Sequence, residues 1–153
     1  MDIKSFNIRP ELIEFLESKH ITEYTEVQTK VIPSLLKGVQ VFVESPTGTG
    51  KTLSFLLPNV SNLNLELKQP QYIIFVPTRE LGRQIHGVLK EMREFLSFTL
   101  VSALGGEDIK RQSAKISAGA QVIVATPDRF DRLITETSVN LKELKAITID
   151  EVD

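Results

Sequence analysis

ESPTGTGKT, residues 44–52, joins the β-branched run Val39-Gln40-Val41-Phe42-Val43 to an apolar helical pattern carrying Leu53, Phe55, Leu56 and Leu57. A glycine-rich turn between strand and helix aims backbone N–H groups and the positive end of a helix dipole at one point, which makes a phosphate cradle. Lys51 is then placed to reach the β and γ phosphates of a nucleotide, and the Thr52 hydroxyl to ligate Mg²⁺. Ser45 stands where the general G-x-x-x-x-G-K-[ST] pattern has its first glycine, so the match rests on Gly50-Lys51-Thr52. The plainer reading is a turn that only connects two elements; the flanking strand and helix favour the nucleotide site.

Four more apolar runs follow: Tyr72-Ile73-Ile74-Phe75-Val76, Phe98-Thr99-Leu100-Val101, Gln121-Val122-Ile123-Val124-Ala125 and Ala146-Ile147-Thr148-Ile149. They are nearly continuous rather than alternating, which marks strands buried on both faces. Between them, Leu81, Ile85, Val88, Leu89, Met92 and Leu96 recur at helical spacing within 79–96, one face of an amphipathic helix. Helices are also expected over 11–19, 28–36, 107–117 and 128–136. Strands alternating with helices pair in parallel through right-handed crossovers, so the chain reads as an α/β fold with five strands in three layers. In such sheets the carboxyl ends of the strands carry the function. Asp150 and Glu151 follow the last strand, placed to hold Mg²⁺ through water and to orient an attacking water.

Composition narrows the classes. The 153 residues contain no cysteine, which excludes a disulfide framework and a thiolate metal site. The two histidines, His20 and His86, lie far apart, against a histidine metal centre. No stretch approaches the ~18 apolar residues of a membrane span, and the N-terminus has no apolar signal core. A cytoplasmic monomer is the expectation. The net charge of −2 offers no global basic field, so any nucleic-acid contact has to be local.

Taken together, six motifs in order resemble the first RecA-like domain of a DEAD-box RNA helicase, over essentially the whole chain. Thr25-Glu26-Val27-Gln28 is similar to the Q motif, with Phe6 as its upstream aromatic, and Ser45 to Thr52 to the family's Walker A loop, where the first glycine is commonly absent. Pro77-Thr78-Arg79-Glu80-Leu81 looks like motif Ia, Gly105-Gly106 the glycine doublet, Thr126-Pro127-Asp128-Arg129 motif Ib, and Asp150-Glu151-Val152-Asp153 motif II. The resemblance implies a RecA-like P-loop NTPase sandwich with a mostly parallel central sheet and an N-terminal ATP-binding domain over residues 1–153.

It also implies roles. ATP is held by Gln28, which reads adenine through its amide, by Phe6 stacking on the base, and by Ser45, Pro46, Thr47, Gly48, Thr49, Gly50, Lys51 and Thr52. Mg²⁺ goes to Thr52 and Asp150, water activation to Glu151, and coupling toward a following Ser-Ala-Thr segment to Asp153. The RNA backbone is held, with little sequence preference, by Pro77, Thr78, Arg79, Gly105, Gly106, Thr126, Pro127 and Arg129.

The chain departs from the family at several places. Tyr24 and Glu26 replace frequent prolines and His20-Ile21 a glycine and aromatic, which loosens the Q-motif loop. Asp128 replaces a glycine and puts a carboxylate near RNA phosphates, and Val152 replaces the alanine of motif II. The Ser-Ala-Thr motif and a second RecA-like domain with its arginine fingers are absent, so the expectation is a truncated domain that binds ATP weakly and barely hydrolyses it. The competing readings are another P-loop NTPase, such as a DNA helicase, and a catalytically silent nucleotide- or RNA-binding fragment.

Overall fold

The structure, a computed structural model, describes residues 1–46, 48 and 50–150. Thr47, Thr49, Glu151, Val152 and Asp153 lie outside the described residues, and with them three of the four motif II positions. The chain divides into two compact units, Met1–Asn62 with Glu91–Leu96, and Leu63–Lys90 with Ser97–Asp153.

In the first unit, α1 (Pro10–Ser18), α2 (Glu26–Leu36) and α3 (Lys51–Ser61) supply the core through Leu12, Leu16, Ile32, Leu56 and Leu57, all fully buried. Each such side chain contributes about 1.5–3 kcal/mol when removed from water. Arg9, at the start of α1, ties this helix to the end of α3: its backbone N–H donates to Ser61 Oγ and its Nε to the Ser61 carbonyl, both at 2.9 Å.

The second unit is built on a parallel sheet of β1 (Tyr72–Phe75), β2 (Leu100–Ala103), β3 (Val122–Ala125) and β4 (Ala146–Ile149), in the order β2-β3-β1-β4. Register sorts the two faces. Ile73, Ile123 and Ala103 lie in one set of rows and pack with Ile116 of α5 (Ile109–Ser117) and with Phe130 and Leu133 of α6 (Pro127–Glu136). The rings of Phe75 and Phe130 meet edge to face at 5.3 Å. Ser102 lies in a row of the other face, and its Oγ is 2.5 Å from His86 Nδ1 on α4 (Arg79–Met92). Helix, sheet and helix thus form the three layers expected of an α/β fold.

One expected strand is not there. Val39–Val43 forms no strand, and Phe42 is 76% exposed, with Val39 and Val41 also exposed. A β-branched run becomes a strand only when a neighbouring ladder satisfies its backbone and a layer covers its side chains; Val39–Val43 has no ladder in the described sheet. The sheet therefore has four strands rather than five, and the run expected over 98–101 pairs two residues later, as Leu100–Ala103.

Candidate nucleotide loop and nucleic-acid cleft

The loop before α3 holds two glycines with positive φ, Gly48 at +82° and Gly50 at +83°. Gly50 is also the N-cap of α3 and brings no side chain to cap the first-turn N–H groups. Lys51, half-buried at the first position of the helix, has no ion-pair partner among the described residues. A Cβ on Gly48 would meet open space. A helix N-terminus without an N-cap side chain, an adjacent cation with no ion-pair partner among the described residues and room above the backbone suit a polyphosphate. The hydroxyl of Thr52 and the carboxylate of Asp150 are oxygen donors of the kind Mg²⁺ takes.

Gln28, 3% exposed, already works inside the protein. Its Oε1 accepts from the Thr25 N–H at 3.0 Å while Thr25 Oγ1 accepts from the Gln28 N–H at 3.3 Å, a reciprocal capping box at the start of α2. Its Nε2 donates to the Gly50 carbonyl at 3.0 Å, so the Q-motif glutamine braces the loop directly. A carboxamide offers two hydrogens and two acceptor lone pairs on its oxygen, so these contacts leave one of each for a base. Thr25-x-x-Gln28 carries the capping-box signature, which sequence reading spent on adenine alone. Phe6 stacks on Tyr24 with ring centroids 5.1 Å apart. The Tyr24 hydroxyl donates to the Ile3 carbonyl at 2.7 Å, and burial, followed by the nearby Asp2 carboxylate, pushes this phenol up to about 12.

In the second unit, the residues following β1, β2 and β3 line one polar cleft of about 390 Å³. Pro77, Thr78 and Arg79 come from the first corner, Gly105 and Gly106 from the second, and Thr126, Asp128, Arg129 and Arg132 from the third; Pro127 is not among them. Thr78 Oγ1 accepts from the Leu81 N–H at 3.2 Å and so caps the first turn of α4. Arg79 is exposed and has no partner among the described residues; its guanidinium lies over Gly105, where a Cβ would come within 2.8 Å of its Cζ. The glycine doublet thus makes room for a cation.

Arg129 is different. It is 7% exposed, its Nε donates to Gln112 Oε1 at 2.8 Å, and its Nη2 donates to the Glu107 carbonyl. Gln112, also buried, passes the contact on through Nε2 to the Leu104 carbonyl at 2.8 Å. Arg129 and Gln112 therefore grip the loop that carries Gly105 and Gly106 at both of its ends. The Glu107 carboxylate is meanwhile taken by Lys115 at 2.6 Å, whose hydrogen bond holds it below the usual carboxylate range. Neither Gln112 nor Arg132 stood out in the sequence. Arg132 was legible in principle, one helical turn beyond Asp128 on α6. Asp150 is buried, and its N–H continues the β1–β4 ladder by donating to the Phe75 carbonyl at 3.0 Å.

The profile of the DEAD/DEAH box helicase family matches residues 25–153. The chain is 43% identical over 150 residues to the DEAD-box ATP-dependent RNA helicase CshC of Bacillus cereus, covering 96% of this chain and 38% of that protein. It is 38% identical to the ATP-dependent RNA helicase HAS1 of Candida glabrata, covering 98% of this chain and 31% of that one. The fold superimposes on the crystal structure of the yeast DEAD-box splicing factor Prp28 with a TM-score of 0.84 at 26% identity, over 99% of this chain and 38% of that one. The chain thus spans about a third of the length of these relatives. With a matching profile over most of its length and a parallel sheet whose strand ends carry the motifs, the chain belongs to the DEAD/DEAH box helicase family.

Proposed function

We propose that residues 1–153 are the first ATP- and RNA-binding domain of an ATP-dependent RNA helicase, in which RNA-stimulated ATP hydrolysis drives local unwinding. The observation that carries this reading is the convergence of three consecutive strand-to-helix corners on one cleft with an arginine, Arg79, that is exposed and unpaired among the described residues. Threonine hydroxyls, glycine backbone and a helix N-terminus can hold a sugar-phosphate chain without a basic surface, which is compatible with a net charge of −2. Contacts of this kind bring little sequence preference, and a 2′-OH contribution favours RNA over DNA.

On the nucleotide side, Ser45 to Thr52 cradle the phosphates, Lys51 meets the β and γ groups, and Gln28 with Phe6 holds the adenine. Thr52 and Asp150 are the groups for Mg²⁺, which neutralises charge developing on the phosphates when it is bound with ATP. Glu151 orients the attacking water, and Asp153 couples this site onward. The greater length of the relatives leaves room for a second RecA-like domain, which supplies arginine fingers and the other half of the RNA site. Transition-state arginines are worth on the order of 10³–10⁵ in rate, so the 153-residue chain alone hydrolyses ATP at a near-background rate while the longer protein is RNA-stimulated. In this reading the longer protein works as a cytoplasmic monomer.

The test is nucleotide binding followed with a fluorescent ATP analogue. Lys51→Ala, which removes a charge-assisted contact to phosphate, lowers affinity at least about thirtyfold. Unchanged binding overturns the loop assignment. Stimulation of the longer protein by single-stranded DNA as strongly as by RNA replaces this reading with that of a DNA-directed enzyme.

A further inference from the structure

Arg132 lines the cleft and is exposed, with a side-chain accessibility of 53%. Its Nε donates to Glu136 Oε2 at 2.6 Å, and Nη2 makes a longer contact of 3.5 Å to Oε1 of the same carboxylate. Four residues on the other side of it along α6 is Asp128, exposed in the same cleft and without a hydrogen-bond or ion-pair partner among the described residues. Arg132 thus stands between two carboxylates on one helix face: it is paired with the one away from the first turn, and the one at the cleft is left bare. Arg129, by contrast, has Nε and Nη2 committed to Gln112 and Glu107 and is nearly inaccessible.

We propose that Arg132, rather than Arg129, is the second phosphate-binding cation of this cleft beside Arg79, and that Glu136 holds it in reserve until a nucleic-acid backbone enters. The inference rests on reading the cleft as an RNA-backbone site. An exposed arginine–glutamate pair on a helix is screened by solvent and holds its partners weakly, whereas a guanidinium fork on a phosphate makes two charge-assisted hydrogen bonds. Moving the guanidinium from Glu136 toward the cleft also offsets the repulsion between the Asp128 carboxylate and an incoming phosphate.

The experiment measures binding of a short fluorescein-labelled oligouridylate to the chain across a salt series, for the wild type, Arg132→Ala, Glu136→Gln, the double variant and Arg79→Ala. Arg132→Ala is expected to weaken binding about five- to tenfold and to reduce the salt slope by about 0.7, the loss of one phosphate contact on a single strand. Glu136→Gln strengthens binding about two- to threefold when Arg132 is present and leaves it unchanged in the Arg132→Ala background, a coupling that simple removal of a negative charge does not produce. If Arg79→Ala weakens binding while Arg132→Ala changes neither affinity nor slope, the role of Arg132 is refuted and the cleft stands. An equal gain from Glu136→Gln in both backgrounds refutes the reserve role of Glu136. If Arg79→Ala is also without effect, or the chain does not bind the oligonucleotide, the cleft reading itself falls.

Discussion

Arg79 follows β1 and Arg129 follows β3 at the same distance along the chain, each in the first turn of the next helix, yet their surroundings are opposite. Arg79 is exposed, unpaired among the described residues, and lies over glycine backbone. Arg129 is buried, with Nε and Nη2 hydrogen-bonded inside the fold. Two positions that the motifs treat alike thus differ in the fold: one lies open in the cleft over glycine backbone, and the other fixes the loop that the first one leans on. What separates them is Gln112, an amide on a different helix that converts an arginine at a cleft edge into a brace.

The division can be broken from either side, and the largest effect is expected at Arg129. Arg129→Ala strands the Gln112 amide oxygen and the Glu107 carbonyl, at a cost of about 2–4 kcal/mol. In thermal denaturation this is a drop of roughly 5–15 °C. A melting temperature within a degree or two of wild type returns Arg129 to the ligand-binding group. Gly105→Ala is the milder probe of the other corner. The new methyl group displaces only the exposed end of Arg79, so stability stays within about 0.5 kcal/mol. Affinity for RNA falls about three- to tenfold, because the guanidinium loses its bidentate geometry. A large loss of stability with RNA binding intact would show that the doublet serves the fold.

The smallest effect concerns the exposed pair beside them. The hydrogen bond from Arg132, ahead of its charge and that of Arg129, holds the Glu136 carboxyl below the usual carboxylate range. Its folded-state value lies below the unfolded one, so the pair's stabilisation is present above the ordinary carboxylate value and is lost as pH falls through the folded value. Glu136→Gln should therefore lower stability slightly and by a constant amount near neutrality, and flatten the profile below about pH 4.5, where variant and wild type converge. Urea denaturation at a series of acidic pH values checks this; identical profiles would remove the pair from the account.

Much of this was readable beforehand, for reasons that differ by element. Val122–Ala125 is continuous, β-branched and flanked by turns, and it is buried on both faces as that pattern requires. Val39–Val43 has the same local chemistry and forms no strand, because pairing depends on a partner that the run does not encode. That the residues after β1, β2 and β3 share one cleft was legible because parallel topology brings the strand ends to one edge of the sheet. The inward commitments of Gln28 and Arg129 were not, since both depend on contacts 17 or more residues away along the chain, Gln28 to Gly50 and Arg129 to Gln112. Arg132 escaped notice because the motif pattern ends at Arg129 while the helix carries the same face one turn further.

The two loop glycines have unequal evolutionary freedom. Gly48 and Gly50 share a left-handed backbone, but only Gly48 has open space where a side chain would begin. Asparagine, which tolerates that backbone, is admissible at position 48 at a modest cost. At position 50 the first carbon of any side chain would overlap the Gln28 amide, which cannot step aside because Thr25 and Gly50 hold both of its ends. Of the two glycines, only the one beside the lysine is required twice over, once by torsion and once by volume, so saturation at these two positions should return a small alphabet at 48 and a single letter at 50.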